Sequence, residues 1–172
     1  MANFVISSGD YIRPLRSPWG APSPRYLPES TAQSYRVGAV VELDSQVSTS
    51  AGKVRTALVS ASTVTSTSIC GIASEPASSV HNTKVGFFDA NPNIEFWART
   101  RFGTIETTCV GEYFGLGFDS TKNVYLVDLG NAVSTSERVY ITELLDAAGD
   151  SGGAVAFKFG SASTNTFGLQ PR

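Results

Sequence analysis

Residues 94–102 read IEFWARTRF, and this stretch decides the fold class. Side chains suited to a core alternate with polar or amphipathic ones, which is the two-residue period of a β-strand with one buried face. The predicted inner face carries Ile94, Phe96, Ala98, Thr100 and Phe102. The opposite face carries Glu95, Trp97, Arg99 and Arg101. The stretch therefore predicts a strand that covers a hydrophobic core.

Short segments of similar character recur from residue 37 onward. They are separated by glycine turns and by Ser/Thr-rich loops at 45–51 and 61–68. The segments lie at 37–43, 53–60, 68–74, 85–88, 113–118, 124–127, 138–144 and 153–159. This spacing predicts an all-β protein, a single β-sandwich or partly closed β-barrel of about eight short strands. A short helix would fit only at 142–148.

The composition agrees with that fold and argues against several functions. The 172 residues are 41% hydrophobic and only 16% charged, with 22 serines and 16 threonines, which suits short strands and turns. A net charge of −2 argues against a nucleic-acid partner, which needs a basic face. We expect no membrane partner, because no apolar run is long enough for a span, and we see no secretory signal.

Few residues are suited to metal or redox chemistry. Cys70 and Cys109 are the only cysteines, and without an export signal we expect two buried thiols rather than a bridge. His81 is the only histidine, whereas zinc sites draw on clustered His and Cys. We therefore expect no cofactor and no bound metal, and we interpret His81 as an ordinary loop residue.

The composition changes near residue 36. The first 36 residues contain Pro14, Pro18, Pro22, Pro24 and Pro28. Proline fixes φ and lacks a hydrogen-bond donor, so this segment cannot be a helix or a central strand. We predict an extended N-terminal arm at 1–36 and a β-rich body at 37–172.

The arm is also aromatic and basic, with four arginines against two carboxylates. One interpretation is that it contacts another surface, and a second is that it wraps its own domain and covers a sheet edge. The two are compatible, since such an arm can also swap onto a sister subunit. The candidate contact residues of the arm are Tyr11, Arg13, Arg16, Trp19, Arg25 and Tyr26.

A second candidate contact is the row formed by Trp97, Arg99 and Arg101 on one face of the predicted strand. Arginine stacks well on tryptophan, and both residue types are enriched at interface hot spots. We therefore predict an exposed protein-contact row. The alternative is a strand buried on both faces, whose arginines have internal partners.

Residues 149–153 read GDSGG, the nucleophile motif of chymotrypsin-like serine proteases. A triad would need His81, one of Asp89, Asp119 and Asp128, and Ser151 as nucleophile. The match covers five residues, and only 21 residues follow Ser151, too few to build a specificity pocket. We interpret the string as a tight turn before a strand.

The other chemical motifs are weaker. Glu42 with Asp44, or Glu106 with Glu112, would be paired carboxylates of the glycosidase kind, but such pairs arise by chance in an acidic protein. The loop that starts at Asp119 lacks the glycine and glutamate of a calcium loop, so we interpret it as a turn.

Several short strings together resemble the head decoration, or cement, proteins of tailed bacteriophages. These strings are YRVGAVV at 35–41, SAGKV at 50–54, CGIA at 70–73 and GDSGGAVAFKF at 149–159. Small decoration proteins similarly combine "GxVV" and "GIA" strands with a glycine-rich final hairpin. The likeness spans about residues 35–160, and the long proline-rich arm departs from the pattern.

The resemblance implies a non-enzymatic virion protein on the capsid surface, assembled in the host cytoplasm. Its implied partners are the major capsid protein and itself, as a homotrimer or alternatively a homodimer. Two other functions stay open from the residues. One is a phage receptor-binding or carbohydrate-binding β-module with Trp97 as a stacking platform, and the other is a small serine hydrolase that uses Ser151.

Overall fold

The computed structural model is built from β-strands. It describes residues 2–44, 52–65, 68–130, 137–161 and 166–167, and within them only a 3-10 turn at Thr107–Cys109 is helical. The strands are β1 (Arg13–Arg16), β2 (Arg25–Pro28), β3 (Val40–Leu43), β4 (Val54–Thr56), β5 (Val59–Ser60), β6 (Thr63–Val64), β7 (Ile69–Ala73), β8 (Lys84–Asp89), β9 (Glu95–Arg101), β10 (Tyr113–Asp119), β11 (Val124–Asp128), β12 (Glu137–Leu144), β13 (Ala154–Ser161) and β14 (Thr166–Phe167). The all-β prediction is confirmed, with more and shorter strands than expected.

Five strands close into a barrel in the order β9-β11-β10-β12-β13, and β13 pairs back onto β9. The β9–β11 pair is parallel and the other barrel pairs are antiparallel. Three fully buried rings meet in the core, with centroids 5.3 to 5.7 Å apart: Phe96, Phe157 and Phe159. Closure gives β9 a hydrogen-bonded partner on each side, so the predicted key strand lies inside the sheet.

A second sheet has the order β2-β8-β7-β3-β4. Gly71 on β7 permits the close approach of β8, because a Cβ at this position would lie 2.0 Å from the carbonyl oxygen of Phe88. Glu29, immediately after β2, forms an isolated bridge with Val54 of β4, which links the two edges of this sheet. The β5–β6 hairpin then leads to the barrel, where Thr63 pairs with Gly117 of β10.

The first 36 residues pack along both sheets. Strand β1 pairs with β9, and β2 pairs with β8, while Asn3 forms a bridge with Ser151. Proline is tolerated in β1 and β2 because each has only one neighbouring strand. The arm therefore covers edges of its own sheets, which agrees with the interpretation that it wraps its own domain. Contact with another surface and the boundary at residue 36 stay predictions.

One local expectation is wrong. Phe102 was expected on the inner face, but β9 ends at Arg101, and Phe102 has a φ of 55° and is 70% exposed. No helix occupies 142–148, because β12 continues to Leu144 and the Leu145 N–H donates to the Ala154 carbonyl. The predicted loop at 45–51, and residues 66–67 of the loop at 61–68, lie outside the described residues.

A chain that begins at residue 37 tests how far the arm belongs to the body. It lacks Glu29, whose fully buried carboxylate accepts hydrogen bonds from the Gln33 and Ser78 backbone N–H groups. It also lacks buried Ile12 and both edge strands. We expect a thermal midpoint at least about 10 °C below that of the full chain, in circular dichroism. Equal midpoints would show that residues 37–172 fold independently.

Candidate functional site

The outer face of β9 is covered by ion pairs. The Arg99 side chain is only 18% exposed, and its Nη1 lies 2.6 Å from the Asp146 carboxylate. Its Nε also lies 3.4 Å from Asp10, in the arm. Hydrogen bonds from Ser7 and the Arg99 charge outweigh burial and lower the pKa of Asp10. Arg99 therefore ties the arm to the loop that precedes β13.

Arg101 is more deeply enclosed, with 10% of its side chain exposed. Its guanidinium donates to the Asp128 carboxylate and to the Ser62 carbonyl, each at 2.7 Å. It lies directly over Gly117, where a Cβ would come within 2.1 Å of its Cζ atom. Glycine at this position in β10 therefore makes room for a largely enclosed cation.

Trp97 lies between these arginines and the arm. The Arg13 guanidinium carbon lies 3.9 Å from the Trp97 ring centroid, and that of Arg99 lies 5.6 Å away. Arg99 also lies 4.2 Å from the Phe4 ring, so aromatic and cationic groups alternate across this face. The expectation of an exposed row is wrong for Arg99 and Arg101, whose partners are internal. A contact role for Trp97 stays a prediction.

Residues 17–24, between β1 and β2, form the most prominent exposed feature of the arm, which we call the tryptophan loop. Trp19 is 73% exposed. The Trp19 N–H donates to Ser17 Oγ at 3.3 Å, and the Gly20 N–H donates to the Ser17 carbonyl at the same distance. Gly20 has a φ of 96°, which suits glycine in this tight turn. The loop therefore presents a large aromatic side chain on a stiff backbone.

Ion pairs hold both ends of the tryptophan loop. Arg16 binds Glu95 and, at 2.5 Å, Glu143, both in the barrel. The hydrogen bond to Glu143, followed by the one to Glu95, raises the pKa of the Arg16 guanidinium. Arg25, on the other side, lies 3.1 Å from Asp89 of the second sheet. The loop is thus fixed to both sheets, although these exposed pairs are individually weak.

The two tyrosines predicted as contacts have different environments. Tyr26 lies on β2 opposite Gly86 and is 55% exposed, on the same strand as Arg25. Tyr11 is half-buried and packs against Gly38. A Cβ added at Gly38 would lie 2.6 Å from the Cβ of Tyr11. Of these two tyrosines only Tyr26 is exposed, and less so than Trp19.

The GDSGG string forms a packed turn that receives the N-terminus. The Gly149 N–H donates to the Ile105 carbonyl at 2.7 Å, and the Ser151 N–H donates to the Ala2 carbonyl at 3.0 Å. These are the two N–H groups that a protease motif would aim at an oxyanion. Because both already have backbone acceptors, this turn offers no oxyanion hole.

His81, Glu42 and Asp44, which were also proposed for catalysis, each contact residues other than Ser151. His81 is exposed in the loop before β8, with its Nε2 atom 3.3 Å from Lys53. Glu42 is buried and accepts a hydrogen bond from Arg55 at 2.6 Å. Burial raises the pKa of Glu42, and Arg55 opposes the rise. Asp44 is also buried and lies 3.6 Å from Arg55, so this carboxylate pair belongs to the interior.

The remaining carboxylates and both thiols have ordinary structural surroundings. Glu106 and Glu112 are exposed near the 3-10 turn, and Asp119 accepts hydrogen bonds from the two N–H groups of its own turn at 121–122. Cys70 and Cys109 are free and buried, as expected. Burial raises the pKa of Cys70 to about 12, and its thiol lies 3.6 Å from the Val41 carbonyl.

Comparison with protein-family models, with curated proteins and with solved structures found no match to this chain. Within the described ranges, no cluster of three or more His, Cys, Asp or Glu residues is arranged to hold a metal ion. The same residues include no helix with the length and hydrophobicity of a membrane span. The geometry of the chain itself must therefore carry any functional argument.

Sequence reasoning identified the arginines of this site but missed their partners. Glu95 and Glu143 for Arg16, Asp89 for Arg25, and Asp146 for Arg99 lie between 47 and 127 residues away along the chain. Phe4, which contacts Arg99, was not among the candidate contact residues.

Removing Asp128 should be far more destabilising than removing Asp89. Asp128→Ala leaves the enclosed Arg101 cation without its carboxylate, at a cost of about 3 kcal/mol or more. Asp89→Ala removes the partner of Arg25, whose side chain is 62% exposed, and should cost less than about 1 kcal/mol. Urea denaturation of both variants measures the free energies of unfolding, and similar losses would contradict the internal role of Arg101.

Ser151→Ala should leave the fold intact, because Ser151 contributes its backbone N–H and carbonyl to the N-terminal segment. We expect the free energy of unfolding to change by less than about 0.5 kcal/mol. The unmodified protein should also resist a fluorophosphonate probe. Covalent labelling at Ser151, located by mass spectrometry, would overturn the structural interpretation.

Both cysteines should react with a thiol reagent only after unfolding. At pH 8 a thiol with a pKa of about 12 is almost entirely protonated, and burial also blocks access to Cys70. We expect two reactive thiols in guanidinium chloride without any reductant, and very slow labelling in native buffer. Rapid native labelling of Cys70 would show that its strand opens readily.

Proposed function

We propose that this protein is a non-enzymatic virion structural protein that decorates and cements the capsid of a tailed bacteriophage. It would bridge neighbouring major capsid protein subunits on the outer surface of the shell, which assembles in the host cytoplasm. The proposal combines the resemblance of the short strings with the form of the arm.

The observation that carries the proposal is the tryptophan loop. Trp19 is exposed, yet ion pairs fix the loop to the barrel on one side and to the second sheet on the other. A stiff loop loses less conformational entropy on docking, and tryptophan is the residue type most enriched at interface hot spots. Arg16 and Arg25 flank Trp19 and stay half exposed or more, which suits a partner surface with acidic groups around an apolar socket.

Cementing requires many copies rather than one strong contact. Copies that each bind two shell subunits multiply modest affinities, because the second contact of each copy is intramolecular. Binding to the assembled shell and not to free subunits then stabilises the shell by mass action. We propose a homotrimer, since three-fold seams between capsomers are natural positions for such a protein, and a two-fold dimer is the alternative.

The carbohydrate-binding alternative depends on Trp97 as a stacking platform. The Arg13 guanidinium lies 3.9 Å from the Trp97 ring centroid and competes with a sugar for that surface. The hydrolase alternative depends on Ser151, whose turn has no available oxyanion hole. Neither alternative gains support from a specific contact of the described chain.

Trp19→Ala is the sharpest test of the proposed docking. On purified heads that lack the protein, we expect about 30-fold weaker binding, which corresponds to about 2 kcal/mol for a docked tryptophan. The matched control is Val80→Ala, because Val80 is also exposed, at 59%, but lies in the loop before β8. Unchanged occupancy by Trp19→Ala, or an equal loss in the control, would contradict a docking role for the loop.

The same heads test the cementing activity directly. Adding the protein should raise the temperature at which the heads are disrupted, in a dose-dependent way that saturates at fixed stoichiometry. Light scattering during a temperature ramp measures this effect. Heads that are equally robust with and without the bound protein would mean that it serves display or adhesion instead.

A further inference from the structure

A groove separates the barrel from the second sheet. Its cavity of about 320 Å³ lies between the β10–β11 hairpin and the segments that connect to β3 and β4. A second cavity, of about 480 Å³, continues from it along residues 8–9 and 36–37. Four aromatic rings line the first cavity: Tyr11, Tyr35, Phe118 and Tyr125. We call the two cavities together the intersheet groove.

The walls of the intersheet groove are held in place by contacts between separate elements. Thr56 Oγ1 of the second sheet lies 3.1 Å from Tyr125 Oη of the barrel, which ties the two sides together. Phe118 packs on Tyr125 with ring centroids 4.8 Å apart. Gly38 allows the arm to approach closely enough for Tyr11 to form the third wall. The groove is therefore preformed.

The intersheet groove carries a positive charge at one position. Among the described residues, Arg36 is the only charged one that lines either cavity, and it lines both. Its side chain is exposed and forms no ion pair within the part of the chain that the structure describes. Leu58, another wall residue, is 54% exposed. The groove thus combines apolar and aromatic walls with one unpaired cation at the junction of its two cavities.

The geometry points to a docking site for an extended segment of a partner protein that carries a large apolar side chain next to a carboxylate. The apolar side chain enters the aromatic-lined cavity, and the carboxylate meets Arg36. The second cavity, on the other side of Arg36, receives the continuing chain, which favours a peptide over a compact small molecule. The identity of the partner as a shell subunit rests on the proposed function.

Two short peptides test this inference with the full-length protein. They are Ac-Gly-Phe-Glu-Gly-amide and its uncharged counterpart Ac-Gly-Phe-Gln-Gly-amide, titrated into ¹⁵N-labelled protein. We expect saturable amide shifts at groove residues such as Val37 and Asn123. The glutamate peptide should bind about threefold more tightly, as an exposed ion pair implies. Arg36→Gln should remove this preference without weakening the glutamine peptide.

Arg25→Gln is the matched control, because Arg25 is also an exposed arginine but lies outside the groove, and it should keep the threefold preference. Three results would overturn the inference: no saturable shifts at the groove, equal affinities for both peptides in the unmodified protein, or binding of phenylacetate without binding of either peptide.

The head-binding assay separates the two proposals. Peptide binding with no binding to heads refutes the proposed function alone, whereas head binding without peptide binding refutes the groove.

Discussion

Strand β9 pairs with three neighbouring strands and packs on both of its faces, and the rest of the molecule is arranged around that constraint. One edge of β9 pairs with β13, and the other edge is shared between β11 and β1. Its inner face closes the barrel core through Phe96. Its outer face carries two arginines, and an enclosed cation is tolerated only with a carboxylate beside it. The arm and the β11 end therefore supply Asp10 and Asp128.

This arrangement explains why the arm forms part of both sheets and yet exposes a loop to solvent. Strands β1 and β2 of the arm are paired with β9 and β8, whereas residues 17–24 only span the distance between the two sheets. A connection of this kind is free to project from the surface, because both of its ends are already held. Trp19 is consequently presented without the entropic cost that a loose chain would bear, which suits the proposed contact with a shell.

The GDSGG turn owes its role to the backbone groups around it and not to its motif. The string has the composition of a catalytic turn, but its Gly149 and Ser151 N–H groups donate to the carbonyls of Ile105 and Ala2. Gly152, with a φ of 67°, lies so close to Phe4 that a Cβ would come within 2.9 Å of its carbonyl oxygen. Gly152 instead makes room for the N-terminal segment at Phe4. Backbone partners, not residue names, decide what such a turn can do.

The sequence by itself determined the all-β class, the segments of the barrel strands and the buried state of both cysteines, because side-chain periodicity and composition act locally. It did not determine that the barrel closes, that Phe102 turns outward, or that the arm adds two edge strands. Nor did it reveal the carboxylate partners of Arg99 and Arg101 or the groove beside Arg36. Only the tertiary structure decided these features, because each depends on which distant strands become neighbours. The alternation of hydrophobic residues along a strand does not reveal this, since it is the same whether the polar face is exposed or covered by another part of the chain.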